Sequence, residues 1–190
     1  MPDKCGHAIA DAPGQFWPMS DTADKSAFPA VAGISMTAMA VALGLTTKWE
    51  GERTKPYQDI VGKWTVCYGE TNVPMKTYTR AQCREFLVKA IRGPYGRGVL
   101  KCVPALQSAP YQLGASIDHA YNFGVAAYCG STIARQFNAG DWYAACRAFE
   151  PWEKAGGKRV QGLANRRIDD MRACFTNLPP ERTLTIKVPS

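Results

Sequence analysis

KWEGERTKPYQDIVGKWTVCYGET, residues 48–71, is the stretch whose reading decides the fold. It sets Glu50, then Asp59 nine residues on, then Thr65 six further. Residues 57–59 and 64–68 are rich in aromatic and β-branched side chains and read as two short strands. The Ile-Val-Gly-Lys between them can turn at Gly62. Such a hairpin puts Asp59 and Thr65 on neighbouring strands, facing a cleft whose other wall is a helix ending at Glu50. Two carboxylates flanking a bond are what glycoside hydrolysis uses: one protonates the leaving oxygen, the other activates water or attacks the sugar. A donor near neutral pH must hold its proton better than an ordinary glutamate, which burial against apolar neighbours favours; Trp49 and Trp64 are the nearby candidates. The competing reading is plain: Glu52, Arg53 and Lys55 surround Glu50, which would then be one more solvated charge on a surface helix.

The remaining composition narrows the classes. At 190 residues the chain is long enough for one sizeable core, in one or two lobes. Residues 1–47 hold two lysines and four aspartates, so the rest carries +9 of the overall +7. A basic body suits nucleic acid, anionic lipid or an acidic polymer. No zinc-finger spacing, RNA-binding signature or long Lys/Arg run supports nucleic acid. Of the seven cysteines, none forms a C-x-x-C pair, which argues against zinc, and no metal or cofactor is implied. Cys67, Cys83, Cys102, Cys129, Cys146 and Cys174 fit three disulfides in an oxidising compartment, with Cys5 left over. Fifteen pairings are open on the residues alone, and several could instead be small buried hydrophobes.

The block resembles the phage-type lysozymes of glycoside hydrolase family 24, and most closely the lambdoid-phage endolysins. The family pattern appears as Glu50-Gly51, Arg53, Tyr57, Asp59, Gly62, Thr65, Gly69 and Thr71. It continues in residues 77–83, 120–141, 152–158 and 162–167, so the likeness spans about residues 48–176 in family order. The resemblance implies Glu50 as general acid, Asp59 as the carboxylate acting on water, and Thr65 as the positioning partner of that water. Tyr57 and Asn122 are candidate substrate contacts, Asn122 equally a capping residue. The resemblance also implies the pairs Cys102–Cys129 and Cys146–Cys174, leaving Cys67 with Cys83. There are two departures: Cys67 stands where many members have glycine, and Glu70 replaces a frequent histidine.

Ahead of the block, residues 26–47 carry no charge over 22 positions, but only eight are large apolar residues and thirteen are Ala, Gly, Ser or Thr. The run is long enough to span a bilayer yet partitions weakly. In lambdoid endolysins, the resemblance implies, such a run is a signal-arrest-release segment. It tethers the enzyme, inactive, to the inner membrane and leaves when the membrane depolarises. The acidic first 25 residues and the basic flank from Lys48 argue against that orientation. The alternatives are an ordinary Ala-rich helix on the domain and cytoplasmic storage with holin-dependent release.

Further on, Thr79 and Gln82 form a capping box for a helix through Phe86, Leu87, Ala90 and Ile91. GPYGRG, residues 93–98, breaks the chain. Another helix runs from near Ser108 through Leu113, Ile117 and Tyr121 to Gly124. Ser131 and Asp141 cap short helices, the second carrying Trp142, Ala145 and Phe149 before Pro151. A last helix spans about residues 162–175, with Arg166 and Arg167 expected in structural salt bridges. His119 reads as a packing or surface residue.

The expected fold is α+β and predominantly α-helical, a lysozyme-like fold with a small β-hairpin lobe and a larger helical lobe. Its expected organisation is a polar leader (1–25), the weakly hydrophobic segment (26–47), a catalytic domain (48–178) and a tail (179–190). The expected function is hydrolysis of the β-1,4 bond between N-acetylmuramic acid and N-acetylglucosamine in peptidoglycan, by a monomer acting in the host periplasm and lysing the host. The rivals are a lytic transglycosylase and a non-catalytic basic module that binds wall or membrane.

Overall fold

A computed structural model describes residues 33–59 and 62–178. Expectations for the leader, Cys5, positions 26–32 and the tail from 179 fall outside the described residues. Helix α1, Met36–Glu50, starts where the Ser35 hydroxyl accepts the Ala38 N–H at 3.2 Å, a polar cap for a free backbone donor. The described part of the weakly apolar segment is thus mostly α1. Its Ala38, Met39, Ala42 and Thr46 are buried at helical spacing, against α4 (Pro110–Phe123) and α8 (Gln161–Phe175). Small residues let these helices approach closely: a Cβ added at Gly114 would lie 3.1 Å from the Ala38 carbonyl and closer still to Val41. Among the described residues no helix is long and apolar enough to cross a membrane.

The chain leaves α1 through Gly51 (φ 66°) into the hairpin. Strand β1 is Arg53–Gln58 and β2 is Trp64–Cys67, antiparallel, with Tyr57 opposite Thr65 and Gln58 opposite Trp64. The first strand therefore begins earlier than the aromatic pattern indicated and stops one residue before Asp59. Its polar Arg53 to Lys55 are tolerated because this two-stranded sheet has exposed edges, and Pro56 falls where the register shifts between Arg53 and Tyr57. Cys67 has φ 60°, a left-handed conformation that glycine adopts most cheaply. That accounts for the glycine many resembling proteins carry there. The turn after β2 is closed by the Val66 and Glu70 backbone pair (3.0 and 2.9 Å) and tied to α2 by Cys67–Cys83.

Helix α2, Arg80–Ala90, has the full Thr79/Gln82 capping box. The expected break at 93–98 is instead a kink. A π-helical turn, Ile91–Tyr95, passes through Gly93 (φ −82°, ψ −107°) and Pro94 straight into α3, Gly96–Cys102. One non-helical residue accommodates the proline, so helix resumes on its far side. Helix α4 ends at Gly124, φ 90°, and α5 (Val125–Cys129), α6 (Thr132–Asn138) and α7 (Trp142–Arg147) follow. Ser131 and Asp141 cap α6 and α7 as expected, but Phe149 lies beyond α7. A two-strand turn, β3 Lys154–Ala155 and β4 Lys158–Arg159, leads into α8. Cys102–Cys129 and Cys146–Cys174 complete the three pairs the resemblance implied, with Cα atoms 5.6 and 5.5 Å apart. The fold is therefore α+β and mostly helical as expected, a hairpin lobe set on a larger helical lobe. His119 is fully buried against Phe123, Tyr128, Phe149 and Trp152. Burial, reinforced by Arg167 and Arg166, keeps its pKa well below the ordinary histidine value, so it packs as a neutral ring.

Candidate active site

Glu50 is the last residue of α1, and its side chain is only 3 % exposed. The solvated-charge reading is therefore wrong for this residue. The expectation of tryptophan walls also needs correction. Trp64 is 54 % exposed, and the Trp49 indole N–H donates to Asp169 at 3.1 Å. The group that does meet Glu50 is Arg166 of α8, whose Nη1 is 2.7 Å from Oε1. The same guanidinium forks onto Asp118 of α4 through Nε (2.9 Å) and Nη2 (2.8 Å). Thr46, one turn before Glu50, donates to Asp118 Oδ1 at 2.8 Å. Three helices are thus pinned together at the point where α1 ends, and the pinning sets the direction of Glu50.

A guanidinium at this range favours a carboxylate over the neutral acid. Asp118 offsets this by taking the bidentate share of Arg166, the stronger geometry. Burial pushes the Asp118 carboxyl up, but Arg166 outweighs it and the net direction is down, so Asp118 is the committed anion of the group.

On the hairpin side, Asp59 follows β1 directly. Its N–H donates to the Lys63 carbonyl (3.0 Å) and its Oδ1 accepts the Lys63 N–H (2.9 Å). The carboxylate thereby closes the turn and is held in place by it. Thr65 is 4 % exposed, and its hydroxyl donates to the Lys63 carbonyl at 3.1 Å. With its proton committed, the Thr65 oxygen presents lone pairs and can accept from a water. Lys63 is the shared backbone anchor of both side chains, a role given by main-chain geometry and invisible in residue type.

Tyr57 links the two walls. Its ring lies 4.3 Å from the Arg53 guanidinium. Burial raises its hydroxyl pKa; Arg53 opposes this, while the charges of both Glu50 and Asp59 add to it. Deeper in, Tyr95 and Tyr121 have ring centroids 4.8 Å apart, and burial raises both hydroxyls, with Glu70 and Glu50 adding. Tyr121 donates to the Tyr68 carbonyl at 2.7 Å, a direct tie between lobes. Burial likewise raises Glu70. Asn122, near the end of α4, has a buried Oδ1 with no hydrogen-bond partner among the described residues.

The structure places Glu50 at the end of α1 and Tyr57, Asp59 and Thr65 in the hairpin that follows it; sequence reasoning missed Asp118 and Thr46. It assigned Arg166 to structural salt bridges, which it makes with Asp118, without seeing that it also meets Glu50. An aspartate in the middle of α4, whose other side chains carry no formal charge, is the signal available: a buried acid requires a buried partner.

The phage lysozyme family model matches residues 47–170. A SAR-endolysin of Bacteriophage PS119 is 36% identical over 76% of this chain and 91% of its own. A SAR-endolysin of Enterobacteria phage P21 is 36% identical over 66% of this chain and 77% of its own. Among solved structures, the active form of P1 phage endolysin Lyz superposes with a TM-score of 0.65 at 22% identity, covering 78% of this chain and 98% of that one. At that identity the superposition speaks for the fold alone. With a family model matching residues 47–170 and a relative 36% identical over 76% of the chain, the chain belongs to the phage lysozyme family.

Proposed function

We propose that the protein is an endolysin of the muramidase type, cleaving the β-1,4 bond between N-acetylmuramic acid and N-acetylglucosamine in peptidoglycan. The observation that supports this reading is a sealed Glu50 at the end of α1, directly ahead of a hairpin turn that anchors both Asp59 and Thr65 on the Lys63 backbone. Glu50 protonates the glycosidic oxygen, while Asp59 and the Thr65 oxygen orient water on the opposite face. This geometry calls for a carboxylate separation of roughly 6.5–9.5 Å and inverts the anomeric centre. Tyr57 and Asn122 contact the sugar. The enzyme acts as a monomer on the wall polymer.

Proton NMR of the first products from purified sacculi tests the reaction. Inversion delivers the α-anomer before mutarotation, with one water added per bond. A 1,6-anhydro product would assign a lytic transglycosylase, and binding without new reducing ends would assign a wall-binding module.

The proposed organisation is a leader (1–25), a release segment (26–47), a catalytic domain (48–178) and a tail (179–190), with α1 crossing the second boundary. Signal-arrest-release then has a physical basis. The bonds from Thr46 to Asp118 and from Glu50 to Arg166 form only when α1 lies against α4 and α8. A chain whose residues 26–47 sit in a bilayer lacks both and is inactive until release. Two relatives carry the name SAR-endolysin. Fusing residues 1–50 to a reporter active only outside the cytoplasm should give activity in the periplasm. A silent fusion would favour cytoplasmic storage with holin-dependent release.

A further inference from the structure

Five ionisable side chains are sealed together where α1, α4 and α8 meet. Side-chain exposure is 3 % for Glu50, 1 % for Arg166 and Arg167, and 0 % for Asp118 and Asp170. Arg166 reaches Glu50 and Asp118 at the distances given above, and Arg167 Nη2 lies 2.9 Å from Asp170 Oδ2. The arginines keep their protons at any working pH, so the group holds two fixed positive charges against three carboxyls. His119, packed beside them and neutral, adds none. A net charge in so dry a place costs several kcal/mol per ion. The cluster is neutral only when two carboxyls are ionised and the third keeps a proton. Asp118, gripped bidentately, is one of the ionised pair. The proton is left to Glu50 and Asp170.

We propose that Asp170 is a positioning residue for the acid: it and Glu50 hold a single proton between them, and when Asp170 ionises against Arg167 that proton resides on Glu50. This rests on the reading of Glu50 as general acid. The remaining neighbours do not disturb the count. The Tyr57, Tyr95 and Tyr121 hydroxyls that feel Glu50 are all raised and stay neutral. Arg53 and Asp59 act on the Tyr57 hydroxyl in opposite directions, and Glu70 is half-buried on the hairpin turn. At the outer end of the same helices, Lys48 and Arg172 both pair with Asp169, and both cations are largely exposed and therefore hydrated. Burial pushes the Asp170 carboxyl well up, Arg167 pulls against it, and the neighbouring Asp118 adds to the rise through its charge and a side-chain hydrogen bond.

The test is the pH profile of kcat/KM on a soluble wall oligosaccharide, whose basic limb marks loss of the acid's proton. Asp170→Asn behaves as though a proton were fixed at position 170, so neutrality demands ionised Glu50. Its basic limb should move down by about one pH unit or more, the scale of coupled titrations. Arg167→Gln removes a positive charge, leaving room for another proton, and its limb should move up. The double variant restores the count and should return the limb toward the parent. Circular dichroism confirms folding of each; if Asp170→Asn fails to fold, Arg167→Gln against the double variant reads the same quantity. Limbs that stay in place, or move the same way in both single variants, overturn the inference. Glu50→Gln distinguishes this from failure of the underlying reading, which falls if that variant is active.

Discussion

Replacing Glu50 by glutamine should reduce the initial rate of turbidity clearing on outer-membrane-stripped cells by about 10²–10⁴-fold, the usual worth of general acid catalysis. The substitution keeps volume and hydrogen-bonding shape. Its carbonyl oxygen can still accept from Arg166 Nη1, now 2.7 Å from Oε1, so α1 keeps its anchor to α8. What is lost is the transferable proton. The thermal midpoint should therefore stay within a few degrees while activity collapses. A variant that lyses at the parental rate would remove Glu50 from the mechanism. One that loses activity and folding together would make it a structural residue.

Replacing Arg166 by methionine should have the largest effect on stability. The side chain is 1 % exposed and is the shared partner of Glu50 and Asp118. Removing one member of a buried ion pair strands the other, at a cost of about 3–5 kcal/mol. For a domain of this size that corresponds to a fall in Tm of roughly 10 °C. The pH dependence follows from Asp118, whose folded-state pKa is depressed by Arg166 against the pull of burial. A depressed carboxyl stabilises the fold above its unfolded value, about 3.9. That stability disappears as pH falls through the folded value. The gap between parent and Arg166→Met in urea unfolding should therefore be widest near pH 7 and narrow toward acid pH. A gap independent of pH would assign the loss to packing volume, since methionine lacks the guanidinium's reach.

Much of the architecture was legible because it depends on local chemistry. Thr79 and Gln82, Ser131 and Asp141 announce helix starts through side-chain oxygens that satisfy free N–H groups within three residues, and each does so here. Gly124 ends α4 through its positive φ. The kink at Gly93 and Pro94 was misread as a break because residue type reports the cost of helix there but not whether the flanking helices have enough packing to meet it. The start of β1 was missed for a related reason: Arg53 to Lys55 have poor strand character and pair only because β2 lies beside them.

For the site, the order and spacing of Glu50, Asp59 and Thr65 in one block, with the motifs that follow, were sufficient to name the fold and the family and to single out the residues proposed as catalytic. Spacing along a chain carries information about a helix end followed by a hairpin, since both are short-range structures. The electrostatic surroundings of Glu50 were decided by tertiary structure alone. Thr46, Asp118, Arg166 and Asp170 lie up to 124 residues apart in sequence and meet because α1, α4 and α8 share a dry junction. Charge has no periodicity to read, and its effect depends on burial and on every other charge sealed in the same volume, quantities that exist only once the helices have packed.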